Sequence, residues 1–302
     1  TADTSTDTTA DDSSDTAVGT LEPIDTTPFI LPDDMPQPPD LAPNDDDVKH
    51  ILLVGADYVS DNGLSDIMVV ASINNTEKTI TCTSLMRDTY VYIPIDGGRR
   101  TKLNSAHQLG GTKLLMDTIE LNFGIKLDNY MKLDFDKAVD VFDHLGGLEM
   151  RIDEAEAKFI KGCVPSSDLV FDPSKADSEG FITVHLNGAE LRAHARNRST
   201  GGGVDFNRTR RQRDILTAAF EKGKTMSNLQ LLSFLAQVLP LVDTDISRME
   251  FLGYVQHASS YSSYEFQTFR IPAPYCWKYW SYYILITDPE RTINEWYDLV
   301  YN

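Results

Sequence analysis

The sequence has few cysteines, no long apolar run and no paired-histidine motif of the HExxH type. Its three cysteines, Cys82, Cys163 and Cys276, have spacings that match no zinc site. Cys82 lies in a β-rich run and is predicted to be buried, whereas Cys163 and Cys276 would pair only in an exported protein. There is no apolar run of about 18 residues and no signal-peptide pattern, so no part of this sequence is predicted to cross a membrane.

Basic residues are missing from the first 47 positions, where acidic residues accumulate. Residues 1–47 contain twelve Asp, one Glu and no Lys or Arg, so removing their thirteen negative charges from the net charge of −19 leaves −6. This Thr-, Ser-, Asp- and Pro-rich segment is predicted to be disordered, either as a solvated tail without a role or as a spacer. The mildly acidic remainder excludes nucleic acid as a partner, because binding a phosphate backbone requires a basic surface.

Arginine, in contrast, is concentrated in one stretch, His194 to Arg213, which contains six arginines and three consecutive glycines. From Asn207 onward the pattern predicts a helix. The residues within about 60° of Arg208 on that helix are Arg211, Gln212, Ile215 and Ala219. The apolar stripe of the helix therefore begins with guanidinium groups, which are costly to bury without partners. The pattern predicts a small-anion site or a buried ion-pair network.

Other arginines extend this interpretation. Arg196 and Arg198 would share one face if their segment is extended. Arg210 and Arg213 are predicted to lie on the opposite, outward side of the helix. A local arginine cluster in an acidic protein favours a small, specific anion as the ligand.

Two carboxylates bracket a turn between predicted strands. Asp57 and Asp66 suit a hard divalent cation such as Mg²⁺, with water and substrate phosphates completing its coordination. Taken by themselves, they are better interpreted as turn-forming residues. Arg87 and Asp88 suggest a local ion pair, and Lys102 alone is an ordinary surface lysine. Together, carboxylates for a metal and several arginines for oxyanions favour phosphoryl transfer.

Strands alternate with helices, which predicts an α/β sandwich around a central sheet. The predicted strands cover residues 48–54, 67–73, 79–85, 90–93, 130–133, 148–152, 181–184, 264–270 and 282–286. The predicted helices cover residues 111–123, 135–145, 188 into the arginine stretch, 227–239, 245–257 and 289–300. The C-terminal tyrosines and tryptophans are interpreted as packing residues rather than as a platform for nucleic-acid bases.

Several motifs occur in an order that resembles one known family. They are ILLVGAD with LSDIMVVASIN, TSLMRDTYVYIP, TKLNSAHQLGG, NYMKLDF with DHLGGLEM, HLNGAELRAHARNRS and DFNRTRRQR. From about Lys49 to about Lys222 the chain resembles the LytR–CpsA–Psr family of cell-wall glycopolymer ligases. Because the match covers more than half of the chain, it is more specific than any single motif.

The resemblance implies a three-layer α/β/α sandwich with a central mixed sheet and a hydrophobic channel for a polyprenyl chain. Residues 48–302 would form the catalytic domain, and residues 1–47 an extracellular stalk whose single-pass membrane anchor is missing here. The implied reaction is Mg²⁺-dependent transfer of a glycopolymer, such as teichoic acid or capsule, from polyprenyl pyrophosphate to peptidoglycan.

Carried over by position, the resemblance assigns roles to individual residues. Asp57 and Asp66 resemble the metal ligands and, with Arg87 and Arg208, the catalytic residues. Substrate phosphate would be bound by Arg87, Lys102, Arg196, Arg198, Arg208, Arg211 and Gln212. Asp205 would orient an arginine.

The chain departs from the family pattern at two places. Tyr58 and Val59 stand where the family has an acidic–Arg pair, and Leu64 stands where it has an Arg. Two other functions stay open, namely a polyprenyl-pyrophosphate phosphohydrolase and a non-catalytic binding or regulatory ectodomain, and the loss of positive charge strengthens the second. The run from Gly201 to Gly203 is either a gate over the head group or a long, tight turn.

Overall fold

The structure, a computed structural model, describes residues 47–56, 63–201 and 204–302. Within these ranges the strands are β1 (Val48–Ala56), β2 (Ser65–Asn74), β3 (Thr79–Leu85), β4 (Tyr90–Ile93), β5 (Arg99–Lys102), β6 (Asn129–Asp134), β7 (Leu148–Ile152), β8 (Ile182–Leu186), β9 (Asp243–Thr244), β10 (Glu265–Ile271), β11 (Trp277–Trp280) and β12 (Tyr283–Ile286). The α-helices are α1 (Ser105–Phe123), α2 (Phe135–Leu145), α3 (Glu154–Cys163), α4 (Gly188–Arg196), α5 (Val204–Lys224), α6 (Asn228–Val238), α7 (Arg248–Tyr261) and α8 (Pro289–Tyr301).

Six of the strands form a central mixed sheet in the order β10-β3-β2-β1-β6-β9. The pairs β1–β2, β2–β3 and β6–β9 are antiparallel, and the pairs β1–β6 and β3–β10 are parallel. The hairpin predicted at Asn74 to Lys78 joins β2 and β3, and Lys78 takes the positive φ of 57° that this tight turn requires. The other strand pairs, β4–β5, β7–β8 and β11–β12, lie outside this sheet.

One face of the sheet packs against α1 and α8. Alternate residues of β1, such as Leu52 and Val54, point to this face because side chains alternate along a strand. Trp296 of α8 is 1% exposed, and its indole N–H donates a 3.0 Å hydrogen bond to Thr83 Oγ1. The apolar ring of this residue is therefore buried in the core, and its polar N–H has a hydrogen-bond partner.

The opposite face of the sheet is covered by α5. Phe220 of α5 stacks on Phe266 of β10 with 4.7 Å between ring centroids. Phe266 aligns in register with Ile80, which pairs with Ile73, so this row of side chains lies opposite the face that binds α8. Helices on both faces confirm the predicted three-layer α/β/α architecture around a mixed sheet.

A second apolar cluster lies beside the sheet and positions the arginine stretch. It combines residues of α2, the antiparallel pair β7–β8, α3, α4 and α5. Helix α4 approaches α2 closely at Gly188, where an added Cβ would lie 2.2 Å from the Val139 carbonyl oxygen. Asn187 and Glu190 form a capping box at the start of α4, which satisfies backbone N–H groups at both positions.

The structure corrects several predicted boundaries. Helix α1 begins at Ser105 rather than at residue 111, with non-helical Gly110 and Gly111 inside it. The short strands β5, β9 and β11 were not predicted. Arg213 was predicted to face outward but is 5% exposed. The first half of α5 is buried on more than one side, because it contacts both the second cluster and the residues of the candidate site.

The structure also bears on the predictions about the cysteines, a membrane span and the N-terminal segment. All three cysteines are free thiols, with Cys82 and Cys276 buried and Cys163 exposed, so the disulfide considered above is not formed. No helix in the described ranges is both long and apolar enough to span a bilayer. The predicted disorder of residues 1–47 falls, apart from Asp47, outside the described residues.

Candidate active site

A cavity of about 250 Å³ opens between the start of β2, the end of α4 and the first turns of α5. Its lining consists of Asp66, Phe135, Ala195, Arg196, Arg198, Arg208 and Gln212. Arg196 ends α4, and Asn197 continues with extended backbone angles, so that Arg196 and Arg198 reach the same cavity. Arg208 and Gln212 are one helical turn apart on α5 and therefore lie on one face.

Asp66 is the carboxylate of this cavity, and three arginines surround it. Its Oδ1 lies 2.6 Å from Arg87 NH1, 3.6 Å from Arg198 NH2 and 3.7 Å from Arg208 NH1. Arg87 follows β3, whereas Arg198 and Arg208 come from the arginine stretch. One strand-end carboxylate therefore gathers guanidinium groups from two distant parts of the sequence.

A second carboxylate, Asp205, holds Arg208 from the side. Its Oδ1 lies 2.7 Å from Arg208 NH2 and 3.4 Å from Arg87 Nε. Burial raises the pKa of Asp205, and the charges on Arg208 and Arg87 oppose that rise. Burial lowers the pKa of Arg87, but Asp205, Asp88 and Asp66 together raise it above the usual value. These contacts support the orienting role predicted for Asp205.

Lys102 lies at the outer end of this network. Its Nζ donates a 2.7 Å hydrogen bond to Asp88 Oδ1, and Asp88 Oδ2 lies 3.7 Å from Arg87 Nε. The ion pair expected between Arg87 and Asp88 is therefore present but long. Lys102 is not part of the cavity lining, and it reaches the cavity only through Asp88 and Arg87.

Arg211 has a different environment from the cavity arginines. Its side chain is 1% exposed, and its Nε donates a 2.6 Å hydrogen bond to Glu156 Oε1. Its other nitrogens donate to the carbonyl oxygens of Asn197 and Thr200 and to the Thr200 hydroxyl. These donors are engaged inside the protein, and Arg211 is not among the residues that line the cavity.

The charges of the described residues leave room for an anion. In and around the cavity, five side chains are positively charged and three are negatively charged. They are Arg87, Lys102, Arg196, Arg198 and Arg208, and Asp66, Asp88 and Asp205. Their sum is positive in a protein whose total charge is −19. Arginines that converge on a small cavity supply rigid donor pairs matched to phosphate oxygens. The arrangement is suited to hold a phosphate or pyrophosphate group.

The structure thus gathers most of the residues singled out in the sequence. Arg87, Asp66, Asp205, Arg196, Arg198, Arg208 and Gln212 lie in or directly beside the cavity. Asp57, Tyr58 and Val59, together with Gly202 and Gly203, lie outside the described residues. Leu64, which stands where the resemblance expects an arginine, is 43% exposed just before β2.

Two residues that contact the predicted arginines were missed by the sequence analysis. Phe135 lines the cavity, and the Arg196 guanidinium lies over its ring at 5.1 Å. Glu156 pairs with Arg211 while its other oxygen, Oε2, accepts from the Asp153 backbone N–H. The spacing of Asp153 and Glu156 at a helix start signals a capping box, but a capping box alone does not indicate an arginine partner.

Comparison with known proteins identifies the family of the chain. The model of the LytR_cpsA_psr family matches residues 5–295. TagV of Bacillus subtilis, named a polyisoprenyl-teichoic acid–peptidoglycan teichoic acid transferase, is 32% identical over 227 residues, which are 73% of this chain and 56% of TagV. TagU of Enterococcus faecalis, with the same activity in its name, is 29% identical over 204 residues, 65% of this chain and 61% of TagU. The chain thus spans little more than half the length of these relatives.

Solved structures show the same fold. The crystal structure of B. subtilis TagV is 29% identical with a TM-score of 0.63, covering 84% of this chain and 97% of that one. TagT with bound octaprenyl pyrophosphate lipid is 22% identical with a TM-score of 0.61, covering 84% and 89% of the two chains. Since the family model matches nearly the whole sequence, the chain belongs to the LytR_cpsA_psr family.

Proposed function

We propose that this protein is a phosphotransferase that moves a glycopolymer, such as teichoic acid, from a polyprenyl-pyrophosphate carrier onto peptidoglycan. The observation that carries the proposal is the cavity in which Arg196, Arg198 and Arg208 converge beside Asp66. The transferase names of TagV and TagU support the same reaction class.

The side chains have distinct tasks in this reaction. The cavity arginines bind the pyrophosphate oxygens and hold the glycan-linked phosphorus in line with an acceptor hydroxyl. When that hydroxyl attacks, the bond from this phosphorus to the bridging oxygen breaks, and polyprenyl phosphate leaves. Guanidinium groups already fixed by Asp66 and Asp205 stabilise the negative charge on the phosphate oxygens without reorganisation.

Magnesium is part of the proposal. No group of three or more His, Cys, Asp or Glu suited to a metal occurs in the ranges that the structure describes. The donor set still fits Mg²⁺, which binds through one or two carboxylates and takes its other ligands from water and substrate phosphates. Asp66 would hold the ion together with Asp57. Bound there, Mg²⁺ would neutralise charge on the phosphate oxygens.

The sheet offers a wall for the lipid chain. On the face covered by α5, Leu53, Ile73 and Ile80 are only half-buried and belong to neither apolar cluster. Apolar side chains left incompletely covered inside a layered protein favour an apolar ligand. We place the polyprenyl chain against this face, and the protein at the outer surface of the cell membrane, where peptidoglycan is found.

Turnover of a polyprenyl-pyrophosphate-linked saccharide tests the proposal, with and without Mg²⁺ and a peptidoglycan oligomer. Arg198→Ala removes a cavity arginine with a side chain 42% exposed, so the fold should persist. Arg210→Ala is the matched control, because Arg210 lies on α5, pairs with Asp214 and does not line the cavity.

Metal-dependent transfer to the oligomer, lowered roughly 100-fold by Arg198→Ala and unchanged by Arg210→Ala, is the expected result. Release of free phosphorylated sugar without transfer would instead identify a phosphohydrolase. Tight retention of the lipid without any product would leave a binding protein and overturn the enzyme proposal.

A further inference from the structure

An aromatic hairpin stands beside the candidate site, outside the central sheet. It is formed by β11 and β12, in which Trp277 pairs with Ile286 and Tyr279 with Ile284. Tyr279 is 54% exposed although it belongs to a paired strand. Side-chain alternation places Trp277 and Tyr279 on one face of the hairpin and Trp280 on the other.

The first face of the hairpin is attached to the arginine stretch. The Trp277 ring lies 4.3 Å from the ring of Phe206, and the Tyr279 ring lies 6.3 Å from it. Phe206 directly follows Asp205, whose carboxylate holds Arg208 at 2.7 Å. The exposed ring of Tyr279 therefore lies close to the residues that would bind phosphate.

The second face is attached to the other end of the ionic network. Tyr90 contacts both Trp280 and Tyr283 edge-on, with centroid distances of 5.9 and 5.0 Å. Lys102 Nζ lies 5.8 Å from the Tyr283 ring centroid and also bonds Asp88. The Ile284 backbone N–H donates to the Asp88 carbonyl oxygen at 2.9 Å, which fixes the hairpin against the loop that carries Arg87.

This combination of groups identifies the chemistry of a ligand. A pyranose ring has an apolar face of C–H groups, which carry partial positive charge and pack on the negative face of an aromatic ring. Its hydroxyls need hydrogen-bonding partners nearby, and Asp88 and Lys102 are such groups. The negative charge of the protein disfavours a nucleic-acid base as the stacked group.

The Trp277 and Tyr279 rings meet edge to face, with 5.2 Å between their centroids and 81° between their planes. We propose that the two residues form a saccharide platform in which Trp277 supports the Tyr279 ring and Tyr279 stacks a sugar ring of the substrate next to the phosphate cavity. The inference rests on the proposed function, in which both the donor and the acceptor carry pyranose rings. It adds a specificity-determining surface for the glycan, separate from the arginines that bind phosphate. The ring bound there belongs either to the carrier-linked saccharide or to the peptidoglycan strand.

Binding measurements on three probes distinguish these sources. The probes are a short-chain polyprenyl pyrophosphate, the same lipid linked to a disaccharide, and a soluble peptidoglycan oligomer without lipid. Tryptophan fluorescence reports binding, because Trp277 lies in the platform whereas Trp296 is buried in the core. The variants are Tyr279→Ala, Tyr279→Phe, which keeps the ring, and Tyr282→Ala, a control for an 81% exposed ring at the hairpin turn.

We expect Tyr279→Ala to lower the affinity for one sugar-bearing probe roughly tenfold, while the affinity for the sugar-free lipid stays unchanged. Loss confined to the disaccharide lipid assigns the platform to the donor, and loss confined to the oligomer assigns it to the acceptor. Tyr279→Phe and Tyr282→Ala should bind like the wild type.

An equal loss of affinity for the sugar-bearing and the sugar-free lipid, or no effect on any probe, would overturn the platform. Failure of the wild type to bind any oligomer or disaccharide lipid would overturn it as well. If the wild type binds the oligomer through Tyr279 but binds no pyrophosphate, the platform stands and the proposed function falls.

Discussion

The buried pair of Arg211 and Glu156 gives the sharpest prediction about stability. The side chains of Arg211 and Glu156 are 1% and 3% exposed, and the two carry their charges 2.6 Å apart. Glu156→Gln keeps the shape of the side chain and an oxygen that accepts a hydrogen bond, but it removes the negative charge. The Arg211 guanidinium would then remain buried with only neutral partners, namely Asn197 and Thr200.

The loss of stability expected for Glu156→Gln follows from the burial of this ion pair. Breaking a buried ion pair by removing one partner costs about 3–5 kcal/mol, because the remaining charge is uncompensated. Gln keeps one hydrogen bond, so we expect the lower end, about 3 kcal/mol, and a midpoint lowered by roughly 6–12 °C for a domain of this size. Glu156→Ala should be worse, because it also removes the cap on the Asp153 backbone N–H.

Thermal and urea unfolding, followed by circular dichroism, measure this effect. Arg291 and Glu295 provide a matched control, since the same two atom types, Nε and Oε1, also lie 2.6 Å apart there, but on the surface. Arg291→Ala should leave the midpoint unchanged within the scatter of the measurement. If Glu156→Gln also leaves the free energy of unfolding unchanged, the assignment of Arg211 as a structural residue is wrong.

Three other predictions concern different parts of the protein. Burial lowers the pKa of His50 to about 4, so as the pH falls below 6.5 the unfolded chain binds this proton before the folded protein does. This difference should lower the free energy of unfolding by about 2 kcal/mol between pH 7.5 and pH 5. Unfolding measured at the two pH values should show a smaller loss of stability in His50→Gln. Gly188→Ala should lower the melting temperature, because its Cβ would lie 2.2 Å from the Val139 carbonyl oxygen. Asp205→Asn should lower kcat of transfer on the order of tenfold with little change in KM, because Arg208 loses its orientation; a change in KM alone would contradict that role.

Individual strands show why most of the fold could be predicted from the sequence and why a few elements could not. Strands such as β1 and β3 were predicted because apolar and β-branched residues mark them directly. Strand β5 consists of Arg99-Arg100-Thr101-Lys102, and only its pairing with β4 makes it a strand. Strand β11 was missed because the hairpin turns at Ser281 with a φ of 54°, at a position where no glycine or asparagine signals a turn.

The residues of the candidate site were also predicted only in part from the sequence. Helical periodicity placed Arg208, Arg211 and Gln212 on the inward side of α5, and the structure confirms that all three are buried. Periodicity does not distinguish a cavity from an ion pair, because that depends on the residue opposite. For Arg211 this residue is Glu156, 55 positions earlier in the chain, which no local pattern connects to it.

The place of β10 in the sheet has a consequence for biosynthesis. Gln267 contacts Thr81 across 186 positions of sequence, and α8 supplies Trp296 and Val300 to the main core. Until residues 265–300 have left the ribosome, β3 is an open sheet edge and one side of the core is uncovered. Such long-range closure makes folding slow, so the sheet closes only once residues 265–300 are available rather than progressively as its earlier strands emerge.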